Sequence, residues 1–77
     1  MKKIVIATAG WVFIGQYAEK DNGSVVLTDA SCIRRWGTQK GLGQIAIEGP
    51  TGETVMDYMG TIEIKAPAVI AAIDCDV

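Results

Sequence analysis

Asp21-Asn22-Gly23 is the strongest conformational instruction in the chain. Asn-Gly accepts the positive φ values that a tight hairpin turn requires, and here it separates two apolar, β-branched stretches. Trp11-Val-Phe-Ile-Gly-Gln-Tyr17 therefore reads as one strand, with Trp11, Phe13 and Tyr17 on one side. Ser24–Leu27 is the strand expected to pair back on it antiparallel. Gly15, inside the first strand, marks a bend or bulge.

The rest of the chain supplies partners for that hairpin. Lys2–Thr8 is short, apolar and rich in β-branched residues, the pattern of a strand buried on both faces. Thr61-Ile-Glu-Ile-Lys65 alternates strictly, with Ile62 and Ile64 inward. Ala66-Pro67-Ala68 then turns the chain into a last strand, Val69–Ile73, and Thr54–Tyr58 is read as a further short strand. In the middle the pattern changes. Thr28 or Asp29 stands where a cap is needed for a short helical turn from Ala30 to Trp36, with Gly37 as its stop. Leu42–Ile47 reads as a second short helix or as an irregular strand, and Gly49-Pro-Thr-Gly52 as a turn. These elements predict a mostly β fold: a small five-stranded SH3-like barrel with a short helical or irregular insertion at about residues 30–59.

A chain of 77 residues builds a single domain. At this size only about 60% of the unfolded chain's surface is buried on folding, so the core is thin. Yet 49% of the residues are hydrophobic. That excess predicts a homo-oligomer, in which other copies cover part of the apolar surface. No apolar run approaches the roughly 20 residues of a membrane span. Only Ile4-Val5-Ile6 lies between Lys2-Lys3 and Ala7-Thr8-Ala9, short of the about 7–15 apolar residues of a signal peptide. A cytoplasmic protein without a membrane partner is expected.

Residue chemistry argues for binding over catalysis. Histidine is absent, which removes the usual general base and any Cys/His zinc site. Cys32 and Cys75 are far apart in sequence and are expected as free thiols, with a disulfide between them as the alternative. The carboxylates are scattered over turns and outward strand positions. No catalytic residue, metal site or cofactor is expected. Gly41-Leu-Gly43-Gln-Ile-Ala46 spells a dinucleotide fingerprint but lacks the buried strand and long helix that make it work. Gly49–Thr54 has no lysine for a phosphate loop.

Charge is distributed unevenly. The net charge is −2, but no acidic residue lies between Asp29 and Glu48, where Arg34, Arg35 and Lys40 all fall. The candidate site is Arg34-Arg35-Trp36-Gly37-Thr38-Gln39-Lys40-Gly41. Guanidiniums pair with phosphate oxygens through two parallel hydrogen bonds, and an indole offers a flat face for a base. In this reading Arg34, Arg35 and Lys40 contact phosphate and Trp36 stacks. Thr38, with Gly37 and Gly41, shapes the pocket. The competing reading packs Trp36 into the core and leaves the arginines in solvent or paired with acidic groups of a neighbouring subunit.

Two resemblances add context. Gly10–Ala30, with Phe13, Gly15, Asp21 and then Leu27, Asp29 and Ala30, looks like the first half of an Sm-like domain. Gly60-Thr-Ile-Glu-Ile-Lys-Ala-Pro-Ala-Val-Ile70 resembles its second half. The likeness implies an Sm-like barrel that assembles by strand addition between subunits. Lys65-Ala66 stands where that family carries its RNA-contacting Arg-Gly pair, so nucleic acid is not the expected partner. Leu27-Thr-Asp-Ala-Ser-Cys-Ile-Arg-Arg-Trp36 followed by Leu42-Gly-Gln-Ile-Ala-Ile-Glu-Gly49 is similar to a group of short phage and prophage proteins of unknown function. That likeness implies a phage-encoded protein in the host cytoplasm. The function expected from all this is an anti-defence sponge, a small oligomer that sequesters a nucleotide-type immune signal. The alternatives are an accessory protein that blocks a host protein, and an Sm-like nucleic-acid binder.

Overall fold

The hairpin forms where Asn-Gly places it. In the computed structural model, which describes residues 1–76, Gly23 takes φ +85°. The Gly23 amide donates to the Lys20 carbonyl at 2.9 Å, and the Lys20 amide to the Ser24 carbonyl at 2.8 Å. The flanking strands are β2, Val12–Glu19, and β3, Val25–Arg35. They pair antiparallel from Glu19 opposite Val25 to Phe13 opposite Cys32.

Three more strands complete one antiparallel sheet: β1, Lys2–Ala7; β4, Val55–Ile64; and β5, Val69–Asp74. Their order across the sheet is β4-β3-β2-β1-β5. All five contribute to a single buried cluster, which requires the sheet to curl round on itself. Val5, Ala7, Val25, Leu27, Ala30 and Ile64 are its buried members, with Phe13, Tyr17, Ile62 and Val69 packed against them. The result is a small barrel-like fold with a radius of gyration of 11.6 Å, about what length alone predicts for a compact chain. The edges β4 and β5 are joined through a 3-10 turn at Ala66–Ala68 and have no strand partner on their outer sides among the described residues.

The second cluster lies outside the barrel. Ile4, Val12, Ile14 and Ile33 of the sheet meet Leu42, Ile45 and Ala46 of the helix α1, Leu42–Glu48. Strand β1 is the wall shared by both clusters. Ile4 on one face and Val5 on the other are each fully buried, as its unbroken apolar run requires.

Gly15 is required by close approach. A Cβ there would stand 2.9 Å from the Thr28 carbonyl and 3.1 Å from the Ala30 Cα. The β2–β3 register slips at this point. The strand bulges where the glycine predicts it.

Two expectations for the middle of the chain are corrected. Ala30–Trp36 is no helical turn: β3 continues through it to Arg35, and Asp29 is not a cap. Asp29 instead takes φ +49° within β3, and the β3–β4 register slips on either side of Ala30. Local propensity yields here to pairing with β4. The two strands expected at Thr54–Tyr58 and Thr61–Lys65 are one, β4, with Gly60 at φ +75° inside it. What separates β3 from β4 is therefore residues 36–54, narrower than the expected 30–59 insertion, and it contains α1.

Candidate functional site

The end of β3 delivers Arg34 and Arg35 to the surface, where each meets a carboxylate, one on β4 and one in the turn before it. Arg34 pairs through Nε with Asp57, which lies opposite Cys32 on β4. Arg35 Nη2 lies 3.7 Å from Glu53 Oε2. The two guanidiniums are thus divided between two acidic partners of their own chain. These pairs are exposed and cost little to exchange.

Beyond Arg35 the backbone is held by side-chain hydroxyls. Thr54 Oγ1 donates to the Trp36 carbonyl at 2.6 Å, and Thr51 Oγ1 to the Gly37 carbonyl at 2.8 Å. The same two threonines order their own turn, because the Thr51 amide donates to Thr54 Oγ1 at 2.9 Å. Gly37, at φ +65°, lies so close that a Cβ would fall 2.6 Å from the Thr54 nitrogen and closer to the Glu53 carbonyl group. No side chain fits there. Residues 36–37 and 51–54 form one hydrogen-bonded clamp.

Trp36 is 45% exposed, so it is not a core residue. Its ring reaches the turn before α1, where a Cβ on Gly41 would lie 3.6 Å from Cζ3. Thr38 Oγ1 donates to the Gly41 carbonyl at 2.7 Å, and the Lys40 amide donates to Gln44 Oε1 at 3.1 Å. These two bonds fix residues 38–41 as the entry to α1. Lys40 has no acidic partner among the described residues. The structure therefore gathers Trp36, Gly37, Thr38, Lys40 and Gly41 at one end of β3 beside the two arginines. Gly41 opens a seven-residue helix between antiparallel strands, which is not the βαβ unit of a dinucleotide site.

Trp11 joins this neighbourhood and was not legible as a site residue. The β1–β2 connection turns through Ala9 at φ +62° and Gly10 at φ +79°. Val12 takes the buried position after it, and Trp11 is left 55% exposed. Its ring stacks on Phe13, with centroids 6.0 Å apart and planes 4° from parallel. On one side Trp11 borders a cleft of about 430 Å³ that also includes Cys32, Ile33 and Arg34. On another it borders an apolar groove of about 390 Å³ with Phe13, Met59 and Lys65. A tryptophan directly after a glycine turn, ahead of an alternating strand, was the available signal.

Nearby titratable groups are tuned by simple causes. Burial, reinforced by the Asp57 charge, pushes the Cys32 thiol above its ordinary value. Burial likewise raises the Cys75 thiol, and both cysteines are free. Tyr58 donates to Asp29 Oδ1 at 3.1 Å, and that bond raises its phenol. No group of three metal-ligating side chains occurs among the described residues. No helix among them is long and apolar enough to cross a membrane.

Neither a protein-family model nor a curated protein sequence matches this chain.

Proposed function

We propose that this chain is a phage-encoded, homo-oligomeric binding protein that captures a nucleotide-type signal of host defence and withholds it. The observation that carries the reading is the clamp: Thr51 and Thr54 hold the Trp36–Gly37 backbone. It holds the backbone of the half-exposed indole next to the two guanidiniums that end β3. Rigid presentation lowers the ordering cost of binding. Arg34, Arg35 and Lys40 take the phosphate charge, Trp36 offers a ring face, and Thr38 with Gly37 and Gly41 shapes the backbone around them. Capture without turnover accords with a chain that has no histidine.

Assembly follows from the sheet edges. Unpaired edge strands invite another chain, and β5 is almost wholly apolar, with Ile70 64% exposed. Pairing β4 of one copy with β5 of the next is a head-to-tail contact, the kind that gives a ring when its rotation closes.

Titration calorimetry with ADP-ribose and with cyclic dinucleotides tests the reading. Binding that weakens about tenfold or more in Arg34→Gln, the loss of a charge-assisted hydrogen bond, supports it. Absence of heat across the panel contradicts it. A second reading, blockade of a host protein, is favoured by the exposed Met56, Tyr58 and Met59 along β4. It gains if the panel is silent and one host protein forms a stoichiometric complex with the chain.

A further inference from the structure

The proposed capture site leaves the cleft at Trp11 unused. Its lining combines an exposed indole with one charged side chain, Arg34, and includes no carboxylate. Its volume of about 430 Å³ falls in the lower part of the range for small-molecule pockets. The indole is held by its parallel stack on Phe13, so its orientation is set before a ligand arrives. Arg34 meets Asp57 through Nε, one of the five N–H donors of a guanidinium. The carboxylate thereby steadies the group without consuming its hydrogen-bonding capacity. Cys32, raised by burial, remains a neutral thiol and adds no negative charge to the cleft.

We infer that the cleft between Trp11 and Arg34 is a nucleobase subsite, in which the base stacks on Trp11 and its phosphate reaches Arg34. The inference rests on the capture reading and extends it across β3. Arg34 lines this cleft and stands two residues before Trp36 at the end of β3. The subsite also explains why a large aromatic is left in solvent at a turn that Ala9 and Gly10 already complete.

The chain has two tryptophans, so each can be read alone. Trp36→Phe leaves Trp11 as the sole indole, and Trp11→Phe leaves Trp36. Both variants, with the wild type, are titrated with ADP-ribose and with cyclic di-AMP, following tryptophan emission and calorimetric heat together. The expected result is ligand-dependent quenching in Trp36→Phe and an affinity loss of about tenfold or more in Trp11→Ala, the usual effect of removing a stacking aromatic. Trp11→Phe keeps a ring and is expected to retain part of the affinity. Unchanged emission in Trp36→Phe, with wild-type heat intact, overturns the subsite and leaves the capture reading standing. No heat from the wild type with either probe overturns both.

Discussion

The chain makes two connections of very different kinds from β3. At its start, the turn at Lys20–Ser24 is closed by backbone bonds, and Asn22 Oδ1 accepts from the Ser24 amide at 2.9 Å. At its end, residues 36–54 cross back to β4 through a helix and a clamp made by threonine hydroxyls. The first carries its instructions in two adjacent residues. The second depends on groups about 15 positions apart that meet only when the sheet is already formed. The short turn builds the barrel, and the long connection, which the barrel must hold in place, carries the candidate binding residues other than Arg34 and Arg35, which end β3.

That contrast can be broken from the larger effect down. Gly37→Ala forces a Cβ into the Glu53–Thr54 backbone at a positive φ. A loss of about 2–4 kcal/mol is expected in urea unfolding, together with loss of nucleotide binding. A stability within about 0.5 kcal/mol of wild type would show that the clamp is loose. Thr54→Val keeps the shape but leaves the Trp36 carbonyl without its donor. About 1 kcal/mol is expected, with accelerated amide exchange confined to residues 36–54. Exchange that also spreads through β1 and β2 would mean that the two connections are not separable. Asn22→Ala removes one exposed acceptor while the backbone bonds of the turn remain. About 0.5 kcal/mol is expected by the same denaturation measurement, with binding unchanged.

The same contrast decides what was legible in the sequence. The Asn-Gly turn, the doubly buried β1, the bulge at Gly15 and the turn at Ala66–Ala68 are each written in neighbouring residues. The run Ala30–Trp36 was not legible, because the left-handed Asp29 and the slipped register around Ala30 break the two-residue alternation that identifies a strand. Its extended form is imposed by β4, which is distant in sequence. Arg34, Arg35 and Trp36 stood out as a local cluster of cations and an aromatic. Thr51 and Thr54 looked like ordinary turn residues, since their roles depend on carbonyls 14 and 18 positions away. Trp11 was read as the first strand residue, but β2 begins at Val12; its ring does lie beside Phe13, and its approach to Arg34 exists only in the folded sheet.

Native mass spectrometry of the gently purified protein tests the central claim most directly, because one spectrum reports subunit number and retained small molecules together. The account predicts a defined oligomer that carries a nucleotide-sized mass, lost in Arg34→Gln. A bare monomer would contradict it, removing both the edge-paired assembly and the captured ligand.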